Sequence, residues 1–363
     1  MTLNKLERRL QNLNHGIWTR LNEIDQLRGQ WIAGAQLSPQ VLGRLKRSTL
    51  ITSTGASTRI EGAQLSDEDV EKLMRGLDIQ KFTNRDKQEV KGYFELLEKI
   101  FDSWKNVGFS ESSIKHLHKE LLKYIEKDDF HRGEYKKKEN QVQMLDENGK
   151  LTGVILFDTT PAYLTPKEMQ EVVEWTANAL KERKYHPLLI AGNFLVEFLN
   201  IHPFEDGNGR LSRILTNLLL LKEGYFYMPY VSHEKLVEDN KPDYYVALRK
   251  SQRTFSARGG SASGGKTDIE DINSWLDFFL SIILEQSKQA VDLLSKENIE
   301  KLLSPKQLLI WQYLQTVDEA TPGNIADEAK VARPTVNQAL NKLLKLKKIK
   351  RIGLGRSTRY RKM

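Results

Sequence analysis

His202-Pro203-Phe204-Glu205-Asp206-Gly207-Asn208-Gly209-Arg210 is flanked by two apolar segments of helical period. Leu188 to Ile201 precedes it, and Leu211, Ile214, Leu215, Leu218 and Leu219 follow on one face. The spacing predicts a helix–loop–helix whose second helix opens at Asn208 or Gly209. A glycine-bearing loop at a helix N-terminus collects unpaired N–H groups at the positive end of the dipole, a setting that favours anions. The loop side chains suit it. Asp206 is a hard oxygen ligand of the kind Mg2+ takes when it also meets phosphates. Gly207, Asn208 and Gly209 allow backbone N–H groups close to a diphosphate, and Arg210 supplies a forked donor. Arg213 lies three residues further on and shares that face. The imidazole of His202 is the side chain whose ordinary titration suits a general base near neutral pH. Phe204 is expected to plug the loop into the core.

Away from this loop the chain reads as mainly helical. Residues 1–105 form an expected N-terminal helical region, 106–298 a core that holds this loop, and 299–363 a separate C-terminal domain. Glu89 to Trp104, Glu111 to Ile125 and Glu171 to Arg183 carry helical stripes, and His186-Pro187 opens a further helix. Val142 to Leu145 and Val154 to Phe157 are short β-prone runs with Asp146-Glu147-Asn148-Gly149 between them, which predicts a β-hairpin. Gly259 to Gly265 is a flexible loop by composition and lacks a phosphate-loop pattern. Asp271 to Leu294 is expected to be one long helix. His116 and His118 have no clustered ligand partners and are read as structural or exposed, not as metal ligands.

Composition narrows the class. The chain has 363 residues, 39% of them hydrophobic, and no cysteine, so neither disulfides nor thiolate metal sites arise. The first twenty residues are charged and lack the apolar core of a signal peptide. The longest apolar stretches are too short to span a bilayer. A soluble cytoplasmic protein with no membrane partner is expected. The net charge of +8 is uneven: residues 331–363 hold eleven Lys/Arg and no Asp/Glu, so the remainder is close to neutral.

Within the C-terminal domain, Ser304 can cap a helix carrying Leu308, Leu309, Trp311 and Leu314. Thr321-Pro322 opens a second helix and Arg333-Pro334 a third, with short strands around Ile349 to Ile352 and Arg359 to Arg361. This pattern is that of a winged helix-turn-helix. Such a fold permits DNA binding through the third helix and equally serves protein contacts or dimerisation. The oligomeric state stays open, a homodimer included.

The run His202-x-Phe204-x-Asp206-Gly207-Asn208-Gly209-Arg210-x-x-Arg213 resembles, at every defined position, the signature of the Fic family of nucleotidyltransferases. The resemblance implies AMP transfer from ATP to a Ser, Thr or Tyr hydroxyl of a target protein. His202 would be the general base, Asp206 would hold Mg2+, and Gly207, Asn208, Gly209, Arg210 and Arg213 would bind ATP. Relatives that phosphorylate instead carry Ala and Lys in the glycine-rich portion, so Gly207 and Gly209 favour adenylylation. Ser57-Thr58-Arg59-Ile60-Glu61-Gly62 is similar to the family's N-terminal inhibitory element. Ser57 and Glu61 stand at i and i+4 near a helix end and so face the same way. The similarity implies that Glu61 pairs with Arg213, withholding it from the nucleotide. Some relatives use such a glutamate to remove AMP. The hairpin would dock the target segment by strand pairing. Tyr244, in Asp243-Tyr244-Tyr245-Val246-Ala247-Leu248, is the further nucleotide-contact candidate, with a packed core tyrosine as its alternative. A reading from another class is a DNA-binding regulator whose Fic core senses ATP or is silenced. A phosphotransferase, or a different nucleotide donor, is a third.

Overall fold

The structure is a computed structural model that describes residues 5–34, 37, 39–76, 84–125, 130–145, 151–256, 271–346, 348–353 and 358–363. The chain divides into two compact units, Met1–Val291 and Asp292–Met363. The expected turn at 146–149 and the glycine-rich loop at 259–265 lie outside the described residues.

Two apolar helices form the centre of the first unit. They are α8 (Pro187–Ile201) and α9 (Asn208–Lys222). Apolar residues surround α8 on nearly every side, so it is buried around its circumference rather than along one stripe. Its one carboxylate, Glu197, is 1% exposed and receives Lys5 and Arg9 at 2.5 and 2.7 Å. A buried carboxylate holds its charge only when paired, and here the pairing staples the first helix, α1 (Lys5–Arg9), to the core.

Around this pair lie α2 (His15–Gly34), α3 (Pro39–Ile60), α4 (Asp67–Met74), α5 (Asn84–Ser103) and α6 (Glu111–Leu121). The shell continues with α7 (Thr165–Glu182), α10 (His233–Asp239), α11 (Lys241–Ser256) and α12 (Asn273–Leu302). α9 packs on α3, α5, α6 and α8, and α3 also packs on α10. α7 starts before Glu171 because Pro166 fits a first turn, where its missing N–H has no intrahelical partner to lose. α12 outruns the expected Leu294, since no Gly or Pro intervenes before Ser304-Pro305.

The expected hairpin forms. β1 (Gln141–Leu145) pairs antiparallel with β2 (Leu151–Asp158), with Val142 opposite Phe157 and irregular register beyond it. In the second unit, α13 (Pro305–Thr316), α14 (Pro322–Glu328) and α15 (Arg333–Lys345) enclose Ile310, Leu314, Ile325, Val336, Leu340 and Leu343. Ser304 caps α13 through a capping box and Thr321 caps α14. β3 (Ile349–Ile352) pairs with β4 (Arg359–Lys362), and Ala320 bridges to Tyr360.

Candidate active site at the mouth of the central helices

The loop between α8 and α9 is held from inside. α8 ends at His202, whose backbone is left-handed (φ 51°) and whose N–H donates to Phe198 O. Phe204 is fully buried and stacks on the His118 ring at 3.8 Å. His118 Nδ1 accepts the Gly133 N–H, which leaves Nε2–H to donate to Asp206 O at 2.9 Å. His118 is therefore structural. Asn208 is 1% exposed and spans the loop, its Oδ1 accepting from Phe204 N and its Nδ2 donating to Phe204 O. Its side chain shapes the loop, so only its backbone is left to face a ligand. Gly207 precedes α9 at φ 78°, a conformation that Gly adopts without strain.

Charge is concentrated at the α9 N-terminus. Asp206 Oδ1 accepts from Gly207 N at 2.6 Å, while Oδ2 receives both Arg210 Nη2 and Arg85 Nη2 at 2.9 Å. Burial alone would raise the Asp206 carboxyl, but Arg210, the Gly207 N–H and Arg85 outweigh it and hold it below the ordinary carboxylate range. Arg210 is 2% exposed and also pairs with Glu89 at 2.7 Å.

Arg213 is buried one turn along. Its Nε donates to Ser57 Oγ at 2.8 Å, and its Nη2 donates to Ser57 O at 2.9 Å and to Glu61 Oε1 at 2.7 Å. Ser57 and Glu61 thus meet the same guanidinium from the last turns of α3 and just beyond it. Glu61 also lies directly over the opening turn of α9, where a Cβ at Gly209 would collide with Oε1. Burial opposes the Arg213 charge, yet Glu61, Tyr93 and Tyr244 together outweigh it and raise its pKa. Nη1 of Arg213 is buried without a hydrogen-bond partner.

The His202 ring is pushed down to about 4, first by burial and then by the nearby Lys136 ammonium, against the opposing influence of the Leu199 carbonyl, Glu61 and Asp206. It is therefore neutral at physiological pH, the state a base requires. Tyr244 packs against Trp275, Phe278 and Tyr245, and burial raises it to about 12. A cavity of about 20 Å³ beside it is also lined by Ser212, Arg213 and His233.

Three supports were not foreseen from the sequence. Arg85 and Glu89 on α5 partner the Asp206–Arg210 pair. Lys136 and Asn140 bind the loop's carbonyls. Arg59 ties the end of α3 to Glu238 at 2.6 Å, Asp67 at 3.0 Å and Leu65 O at 2.8 Å. Of these, only Arg59 gave a readable signal, as a guanidinium inside the Ser57–Gly62 element and off the Ser57/Glu61 face.

The first unit is thus a helical core that presents a glycine-containing loop at a buried helix N-terminus. Residues 108–220 match the Fic/DOC family model. Over 124 residues it is 29% identical to a probable protein adenylyltransferase of Aquifex aeolicus, covering 34% of this chain and 35% of that protein. A Fido domain-containing protein of Dictyostelium discoideum is 32% identical over 102 residues, 26% of this chain and 64% of its own. The chain thus spans about a third of the first relative and under two thirds of the second. A Fic family protein from Desulfovibrio desulfuricans superposes with a TM-score of 0.62 at 22% identity, over 97% of both chains, which establishes a shared fold. Among the described residues no helix is long and apolar enough to cross a membrane.

Proposed function

We propose that this protein is an adenylyltransferase that moves AMP from ATP to a Ser, Thr or Tyr hydroxyl of a target protein, and that its nucleotide-free form is restrained by Glu61. The observation that carries this reading is the Arg213 guanidinium, buried and bound to Ser57 and Glu61 at the N-terminus of α9. In the proposed reaction the neutral His202 ring takes the proton of the target hydroxyl. The oxygen attacks the α-phosphate in line, and pyrophosphate leaves with the electron pair of the broken P–O bond. The N–H groups from Gly207 to Gly209, with Arg210 and Arg213, would offset charge on the phosphates, since positioning and electrostatics dominate such transfers.

Asp206 fits Mg2+ in the usual manner of one carboxylate plus substrate phosphates. Its side chain is 39% exposed, so one face of the carboxylate stays open to solvent beside the Arg85 and Arg210 pairs. The ion would supply charge neutralisation for the leaving group. Glu61 is also proposed to orient a water for AMP removal, the reverse service that the resemblance implies for some relatives. Strand addition to the β1–β2 hairpin is the proposed route for placing the target hydroxyl. Tyr244 is proposed as a further nucleotide contact, from the position beside Arg213 where both line the small cavity.

The test is label transfer from α-labelled ATP and Mg2+, first onto the protein itself and then into lysate proteins. Label in Glu61→Gly that disappears in Glu61→Gly/His202→Ala supports the reading. Label arriving only from γ-labelled ATP makes the protein a phosphotransferase and overturns it.

A second reading is favoured by one observation. α15 exposes Arg333, Asn337, Gln338, Asn341 and Lys345 to solvent, and β3 adds Lys350 and Arg351. We infer a winged helix-turn-helix that binds duplex DNA, either beside the enzyme activity or, in the alternative, as a regulator whose core only senses ATP. The expected cytoplasmic location, the 1–105, 106–298 and 299–363 division and a homodimer belong to the same proposal.

A further inference from the structure

Four successive carbonyls of the catalytic loop accept hydrogen bonds from the feet of the hairpin. Lys136 Nζ donates to Ile201 O at 2.9 Å, and its backbone N–H donates to Pro203 O at 2.8 Å. Asn140 Nδ2 donates to Phe204 O at 3.0 Å and, more weakly, to His202 O at 3.4 Å. The same ammonium grips both feet, reaching Asn140 Oδ1 and Thr159 Oγ1 at 2.8 Å each. Asn140 immediately precedes β1 and Thr159 immediately follows β2.

The arrangement is dictated by the end of α8. The last carbonyls of a helix have no intrahelical donor, and a cation there also complements the dipole. Lys136 is only 3% exposed. A buried ammonium without three acceptors is costly, so its three bonds tie its position to that of the loop. Burial also brings its pKa down to about 8. Nothing in the sequence around Lys136 resembles a motif, and no step described so far uses it.

We propose that Lys136 is a positioning residue that locks the hairpin's feet to the His202 backbone, so that the strand receiving the target and the base receiving its proton move as one piece. The proposal rests on the adenylyltransferase reading for its purpose, but not for its test.

Ring NMR titration of the nucleotide-free protein, with His202→Ala for assignment, compares wild type, Lys136→Met and Lys136→Arg. The charged groups that set the His202 titration are Lys136, Glu61 and Asp206, and the last two are unchanged in all three forms. Lys136→Met is expected to raise the His202 titration by about one pH unit, with the buried His118 and His233 rings unmoved and Lys136→Arg restoring the wild-type value. In the Glu61→Gly background, Lys136→Met is expected to lower AMP transfer at least tenfold with the KM for ATP unchanged. A His202 titration that stays put in Lys136→Met overturns the proposal, whatever happens to stability. So does loss of transfer expressed only as a higher KM for ATP. If no form transfers AMP, the functional reading falls while the titration still decides the role of Lys136.

Discussion

Arginines do different work in the two units of this chain. At the N-terminus of α9, Arg210 and Arg213 are 2% and 3% exposed, and each is met by a carboxylate from a distant part of the chain, Glu89 and Glu61. Around α15, Arg333 and Arg351 stand in solvent, and Arg359 spends its charge on an exposed pair with Glu319 at 2.6 Å. Removing one partner of a buried pair leaves an uncompensated charge and costs several kcal/mol, whereas an exposed pair contributes about 0–1 kcal/mol and is screened by salt. On the proposed reading the first region is a switch, in which one substitution changes the state of the site. The second is a distributed field, in which single substitutions only grade the response.

The sharpest break of that comparison comes from His202. In the Glu61→Gly background, His202→Ala is expected to reduce AMP transfer by about a thousandfold, within the range of general-base contributions. Thermal stability should change little, because the ring is desolvated in the folded protein and its loss removes no ion pair. Retention of a tenth of the activity would remove His202 from the chemistry.

Burial of histidines sets the next effect. His118, His202 and His233 are each pushed down to about 4, by burial before any other cause. Their folded pKa values lie below the ordinary 6.5, so between the two values the unfolded chain binds more protons than the native one. Stability from these groups is full above pH 6.5 and is lost as pH falls toward 4. For His118 and His233 together, roughly 3 kcal/mol should disappear between pH 7 and pH 5. Urea unfolding at the two pH values reads this, and equal midpoints would show that the rings are hydrated in the native state.

Glu61→Gly should couple two changes of opposite sign. AMP transfer rises at least tenfold, because Arg213 becomes available to the nucleotide. Stability falls by about 1–2 kcal/mol, well under the buried-pair figure, since Glu61 is 33% exposed and Ser57 keeps two bonds to the guanidinium. Unchanged AMP transfer in Glu61→Gly would mean that the Glu61–Arg213 pair does not restrain the resting form.

Much of this was legible in the sequence for a physical reason. The helix–loop–helix, the hairpin and the capped helices of the C-terminal unit are written in local period and capping residues, and α8, α9, β1, β2, α13 and α14 follow them. Ser57 and Glu61 sit four residues apart, so their shared face was readable from helix geometry. Partners that depend on packing were not. Arg85 reaches Asp206 across 121 positions of sequence, and Lys136 reaches the loop through acceptors that are backbone carbonyls, which every residue type carries. Asn208 shows the same limit in reverse: its position in the loop was plain, but its side chain turns inward to Phe204 instead of outward to a ligand.

The smallest effects belong to α15, and they test whether its exposed face meets DNA. Phosphate contacts release counterions, so log affinity falls linearly with log salt, and each lost contact lowers that slope by roughly one. Lys345→Ala on the exposed face should weaken duplex binding by a similar factor for every sequence and flatten the slope by about one. Asn337→Ala should leave the slope alone and relax preference among sequences, because an amide reads base edges instead of charge. Arg359→Ala should do less than either, its guanidinium being already engaged by Glu319. Fluorescence anisotropy with a labelled duplex at several salt concentrations separates the three. If Lys345, Asn337 and Arg359 prove interchangeable, or if no salt-dependent binding is measured, the exposed cations of this unit serve protein contacts instead.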